Sequence, residues 1–259
     1  MDGFIIFLRK ELSEAARSER LLVVAVVFLL LGIISPLGAK YLPQLLQSLG
    51  TGQQGVQIIV ATPTVNDAIT QFLKNVAGTG ILIALLLPMG SVAREKEQGT
   101  ASFVLTKPLS RQAFLVAKAL ALFAVLAVGV ALGSIAAYLY TALLFKPIAV
   151  GGFLACAALI LLSLLVYAAF TFLGSTLAQS QLPAVGVGLV AWVAISLVSL
   201  SPALSPYTPA GLVTVAGSIA LGKETEHLTT SLLANLAIIV VVLAGAWLAF
   251  RRQELTARS

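Results

Sequence analysis

Five stretches of this sequence contain no Asp, Glu, Lys or Arg: Leu21 to Ala39, Asn75 to Ala93, Ala119 to Phe145, Pro147 to Gly222 and Leu228 to Phe250. A helix needs about 20 consecutive apolar residues to cross the hydrocarbon core of a bilayer. With no water there to bind backbone amides and carbonyls, a chain of such segments has to fold into helices that satisfy those groups internally. Only 10% of the residues are charged, against about 25% in a soluble domain, too few to cover a water-facing surface. The expected fold is an all-α integral membrane protein, with residues 1–259 forming a single transmembrane domain.

The order of segments follows from the same runs. Residues 1–20 put Phe4, Ile5, Leu8, Leu12 and Ala15 on one stripe of a helix and most of the charge elsewhere, as expected for an amphipathic connecting helix in the membrane interface. Span 1 is expected over Leu21–Leu37. Thr64 to Asp67 has capping-box form and leads into span 2, read as Asn75–Ala93. Span 3 covers Ala113–Phe145, introduced by Pro108 and by Ser110 as N-cap. The run from Pro147 to Gly222 is too long for one span, and the polar break at Ala178–Pro183 divides it into spans 4 and 5. Residues 202–230 form the next outer segment, in which Gly211–Gly222 is too short to cross and suits a re-entrant or interfacial piece. Span 6 is Ser231–Phe250, and Gln253 reads as a plain surface position in the tail after it.

With six spans and both termini in the cytoplasm, twelve of the sixteen cations fall on the cytoplasmic side and four (Lys40, Lys74, Lys146, Lys223) outside. That bias is the one that orients multi-pass proteins in a plasma membrane. The net charge of +6 is thereby accounted for by membrane orientation, leaving no argument for nucleic-acid binding. Acids among the bases before Leu21 and the lack of an A-x-A cleavage pattern argue against a signal peptide.

The spans carry no ionisable group away from their ends, which disfavours an ion-coupled carrier. One His, one Cys and two Met offer no metal site, and Ser175 has no basic partner for hydrolysis. The expectation is therefore no catalytic residue, no metal and no enzyme activity in this chain. Gly217 to Glu224, "GSIALGKE", nearly spells a phosphate-binding loop, but Glu224 replaces the required hydroxyl residue and no strand precedes it. "EAA" at Glu14–Ala16 is likewise discarded as a coupling motif, because Arg20 stands where that pattern has glycine. Gly129 and Gly133 in span 3, with Gly78, Gly80, Gly186 and Gly188 in spans 2 and 5, read as surfaces for close helix packing.

The most polar stretch is "REKEQGTASFVLTKPLSR", Arg94 to Arg111. Its charges together with Lys118 would cost about 20 kcal/mol at bilayer depth, at about 3 kcal/mol each, so residues 94–112 form a cytosolic loop. Gly99 and Thr100 can start a short helix with Ala101, Val104 and Leu105 on one face. An apolar stripe within a charged loop asks for a protein partner. The stretch from Arg94 through Leu120 resembles the first cytoplasmic loop of ABC-2-type transporter permeases, at Glu97, Gly99, Thr100, Val104, Leu105, Pro108, Ser110, Arg111 and Lys118. "RKEL" at Arg9–Leu12 and the six-span layout extend the likeness loosely over the chain. Within the family the chain is similar to the group that includes permeases for maturation of copper enzymes, without the substrate being carried over.

The resemblance implies a permease of an ATP-driven exporter with an amphipathic connecting helix, a coupling helix and a re-entrant segment before span 6. Its partners would be a separate cytosolic ABC ATPase, which holds the ATP and Mg, and a second permease, as a homodimer or heterodimer. The coupling-loop residues would be Arg94, Glu95, Glu97, Gly99, Thr100, Val104, Leu105, Pro108 and Arg111; substrate-binding residues are not assigned. The alternative is a non-transporting membrane scaffold or assembly factor.

Overall fold

Among the described residues, most of the uncharged stretches are helical. The computed structural model describes residues 2–50, 62–98 and 110–253. Its elements are α1 (Asp2–Ala16), α2 (Glu19–Gly50), α3 (Val65–Asn75), a π-helical segment (Val76–Gly80), α4 (Ile81–Leu86), α5 (Ala93–Glu97), α6 (Arg111–Leu144), α7 (Val150–Leu177), α8 (Gln181–Val198), a 3-10 turn (Ser205–Tyr207), α9 (Pro209–Ala220) and α10 (Leu228–Arg252). Six stretches are long and apolar enough to cross a membrane: Glu19–Leu45, Val65–Leu86, Arg111–Leu144, Val150–Leu177, Gln181–Val198 and Leu228–Arg252. Gly99, Thr100, Val104, Leu105 and Pro108, with the short helix expected there, lie outside the described residues.

Two spans differ clearly in extent from the sequence expectation. The first span does not stop at Leu37: α2 continues through Pro36, Lys40 and Pro43. Lys40 is accommodated because its Nζ donates to the carbonyl of Leu144 at 3.0 Å, supplying a partner to an orphan carbonyl at the C-terminal end of α6. The second span begins at Val65 rather than Asn75 and ends at Leu86 rather than Ala93. Thr64 and Asp67 do set its start, the Asp67 carboxylate accepting from the Thr64 amide at 2.8 Å and the Thr64 hydroxyl at 2.7 Å. At its other end Pro88 and Gly90 turn an apolar segment that hydropathy alone cannot distinguish from helix. Lys74 lies exposed inside the span, where a long side chain can carry its charge toward the interface.

Close approach of α2 and α6 depends on missing side chains. A Cβ on Gly133 would lie 2.6 Å from the Phe28 carbonyl oxygen, and one on Gly32 would meet the Gly133 carbonyl. In hydrocarbon, where helices gain nothing by leaving lipid, such backbone contact supplies the van der Waals attraction that holds them. Gly80 and Gly188 also sit at packed positions, whereas Gly78 and Gly186 face open space. α7 is the most enclosed span, contacting α4, α6, α8, α9 and α10; α8 and α10 turn most of their surface outward. The main core gathers Phe28, Phe72, Leu126, Ile160, Leu164 and Leu212. Cys156 lies buried within it.

The bundle has two dissimilar ends. At the charged end α2, α6 and α8 begin and α4, α7 and α10 finish, with α1 and α5 packed beside them. At the far end the short helix α9 lies against α7. α1 faces the bundle with Phe4, Phe7, Leu8, Glu11 and Ala15, while Ile5, Ile6 and Leu12 remain exposed. The packed stripe is thus rotated from the one expected, with the Phe7 ring tilted against Phe114 of α6, centroids 5.6 Å apart.

Candidate functional site

The charged end is built on an apolar floor. Val92, Phe114, Leu115, Ala119, Phe172, Ala246 and Phe250 form a second core cluster, with the rings of Phe114 and Phe250 stacked 5.8 Å apart. Above it Ser175, fully buried on α7, holds the turn after α4. Its hydroxyl accepts from the amides of Val92 and Ala93, each at 3.0 Å, and donates to the Met89 carbonyl at 2.9 Å. Amides at a helix start have no intrahelical partner, so this one side chain fixes where α5 begins. That is a positioning role and explains a buried serine with no basic neighbour.

From α5 the charges point in different directions. Glu95 turns inward and meets Lys118 of α6 at 2.6 Å; Glu11 of α1 meets the same ammonium at 3.2 Å. Lys118 is buried and lies 5.1 Å from the centre of the Phe114 ring. It overturns the expectation that no ionisable group enters a span away from its ends, since it sits two turns into α6. A cation there is tolerable because two carboxylates and an aromatic face replace its hydration. The triad ties α1, α5 and α6 together.

Lys96, one residue on, turns the other way. Its Nζ donates to the Thr176 carbonyl, to the Ala178 carbonyl at 3.5 Å and to Gln253 Oε1 at 2.6 Å. The ammonium thereby caps the C-terminal end of α7, where cations complement the helix dipole. Burial pushes its pKa down to about 8. Arg111, at the start of α6, caps a second helix end: its Nη1 donates to the carbonyls of Phe250 at 3.3 Å, Arg251 at 3.2 Å and Gln253 at 2.8 Å. Gln253 completes the arrangement by donating from Nε2 to the Thr176 carbonyl at 3.0 Å. It is no plain surface position. Ser110 is the N-cap of α6, accepting from the Ala113 amide at 3.1 Å.

The segment from Gln98 to Ser110 therefore leaves from α5 and returns at α6 with both attachment points clamped to one place, the adjoining C-terminal ends of α7 and α10. Of the residues singled out from sequence, Arg111 belongs to this clamp, and Glu95 to the triad with Lys118 and Glu11. Arg94 and Glu97 are exposed on α5. Sequence reasoning missed Glu11, Lys96, Ser175 and Gln253. For Glu11 the signal was Lys118, a cation inside an apolar helix, which demands a partner; the sequence carried no such signal for the other three.

The near-match to a phosphate loop is resolved by backbone geometry. Gly222 has φ +68°, its amide donates to Ile219 at 3.0 Å, and the Lys223 amide donates to Ser218 at 2.9 Å. These are the paired bonds of a Schellman ending. "GSIALGKE" closes α9, whereas a phosphate loop opens a helix and aims free amides at the anion.

Six apolar helices joined in this way define a multi-pass helical membrane protein. A family model described as ABC-2 family transporter protein matches residues 5–255, and the chain belongs to that family of transporter membrane subunits. It is 27% identical over 257 residues to "Uncharacterized transmembrane protein YxlG" of Bacillus subtilis (strain 168), an alignment covering 98% of this chain and 99% of that one. It is also 32% identical over 189 residues to "Probable ABC transporter permease protein NosY" of Stutzerimonas stutzeri, covering 71% of this chain and 63% of that one.

Proposed function

We propose that this transporter subunit is the permease of an ATP-driven exporter in the plasma membrane, coupled to a separate cytosolic ATPase through residues 94–112. The observation that carries the reading is the double clamp at the ends of that loop. A push on the loop reaches α1 and α6 through Glu95, Lys118 and Glu11, and reaches α7 and α10 through Lys96, Arg111 and Gln253. A solvated connector has no need of such attachments. A loop that transmits the closure of an ATPase does, since only differential contact between two states shifts an equilibrium.

The remaining parts of the reading follow from charge and length. The distribution of cations supports a cytoplasmic location for both termini. α1 lies in the interface, with exposed Ile5, Ile6 and Leu12 toward lipid. α9, with 12 residues, spans about 18 Å at 1.5 Å per residue and re-enters from the far side. ATP and Mg are held by the partner, and a second permease, identical or related, completes the pathway.

The test is co-purification and transport with Glu97→Lys and Val104→Asp. Each should insert at the wild-type level yet lose ATPase association or uncouple hydrolysis from transport, because an unpaired charge at a buried interface costs several kcal/mol. Full association and transport by both variants would refute the coupling role.

A further inference from the structure

A cleft of about 500 Å³ opens at the charged end between α1, the turn after α4, α5 and the first turns of α6. Its wall changes character with depth. Leu122 and Val125, one to two turns further into the span than Lys118, and Leu87 make one side apolar. Arg20 and Arg94 line the other side, at the level where α2 begins. A Cβ on Gly90 would meet Gln181 Oε1 at 2.9 Å, with Nη2 of Arg20 in ordinary contact at 3.5 Å, so the missing side chain lets the turn pack closely here.

The charges around this cleft are unevenly matched. Its three carboxylates are engaged, Glu11 and Glu95 by Lys118 and Glu14 by Lys10 at 3.1 Å. Arg20 and Arg94 are both exposed, and neither forms an ion pair with a carboxylate of a described residue. The lining holds four cations and three carboxylates, an excess of one positive charge, and its two guanidiniums are the cations not engaged by a carboxylate of a described residue. Guanidinium forks fit phosphate oxygens better than any other protein cation does. An apolar wall at hydrocarbon depth below a cationic rim is the complement of an anionic phospholipid, its phosphate at the rim and its first methylenes on the leucines. A soluble anion would leave the apolar wall unused, and a zwitterionic phospholipid would bring its own headgroup cation against the same cationic rim.

We propose that this cleft binds the headgroup of an anionic phospholipid, with Arg20 and Arg94 holding the phosphate and Leu87, Leu122 and Val125 receiving the upper acyl chain. The site is independent of the coupling reading, since it needs only membrane insertion. It gives the joint between α1 and α5 a lipid component.

The experiment is lipid retention by the full chain, purified in neutral detergent and supplied with phosphatidylglycerol or phosphatidylcholine, read by native mass spectrometry. Wild type should retain phosphatidylglycerol preferentially. Arg20→Ala with Arg94→Ala should lower that retention about thirtyfold, at about tenfold per 1.4 kcal/mol and about 1 kcal/mol for each cation removed. Arg9→Ala with Arg17→Ala, removing exposed cations that do not line the cleft, should change it less than threefold. Thermal melting checks that both double variants remain folded. Equal retention of the two lipids by wild type, unchanged retention by the Arg20/Arg94 variant, or displacement of phosphatidylglycerol by millimolar inorganic phosphate would each overturn the proposal, the last by assigning the site to a soluble anion.

Discussion

Replacing Lys118 by Met keeps a long unbranched side chain in α6 and removes only the charge. Glu11 and Glu95 would then lose the ammonium that each contacts at 3.2 and 2.6 Å. Their side chains are 12% and 22% exposed, so water restores little of the lost solvation, and the two like charges are left facing each other. Removing one partner of a buried ion pair costs about 3 to 5 kcal/mol; the residual exposure places the expected loss near the lower figure. The triple variant Lys118→Met, Glu11→Gln, Glu95→Gln also removes the two carboxylate charges and should recover most of that loss, since a neutral replacement of a buried ionic cluster is close to isoenergetic. Reversible unfolding in mixed micelles measures both. A loss below about 1 kcal/mol in the single variant, or no recovery in the triple variant, would show that the triad does not hold α1, α5 and α6 together.

Three further outcomes follow from the same end of the bundle. Gln253→Lys removes one of the three acceptors of Lys96 and sets a third cation beside Lys96 and Arg111, so it should destabilise the C-terminal end of α10 by about 1 to 3 kcal/mol, read by hydrogen exchange at Phe250–Gln253; wild-type exchange there would return Gln253 to the status of a surface residue. Lys96 should react with an amine acylating reagent with a midpoint near pH 8, because its folded pKa is about 8 against an ordinary 10.5. With the folded pKa depressed, the unfolded chain binds more protons between those values and stability rises with pH across that window; a midpoint near 10.5, or stability that falls there, contradicts the burial of this ammonium. On a Cys156→Ser background, a cysteine at Thr225 should be labelled from outside intact cells and one at Gln98 only after permeabilisation; the opposite pattern would invert the topology.

The spans were legible because burial in lipid leaves its mark on composition, and composition is local. Ser110 as N-cap, the Thr64–Asp67 box and the break at Ala178–Pro183 were readable for the same reason: each is decided within a few residues. The second span was misplaced because Lys74 looked like a boundary and Leu87–Ala93 looked like helix. The run of uncharged residues is a property of the sequence, while the turn is made by Pro88 and held by Ser175, far away on α7. The clamp was not legible at all. Lys96, Arg111 and Gln253 meet only because α7 and α10 end side by side, and Glu11 meets Lys118 only after α1 has folded back along α6. Charge pattern told that residues 94–111 were special; tertiary geometry was needed to tell which of those charges serve the fold and which remain free for a partner.

The central claim, that the loop after α5 is where an ATPase docks, is tested most directly by photocrosslinking in the native cell. A benzophenone side chain placed at Val104, which the sequence puts on one face with Ala101 and Leu105, should capture an ATPase subunit, and the yield should change when ATP binding is blocked. The same side chain at Thr225, at the far end of the bundle, should capture none. Failure to capture an ATPase from Val104, or capture from Thr225 instead, would contradict the account.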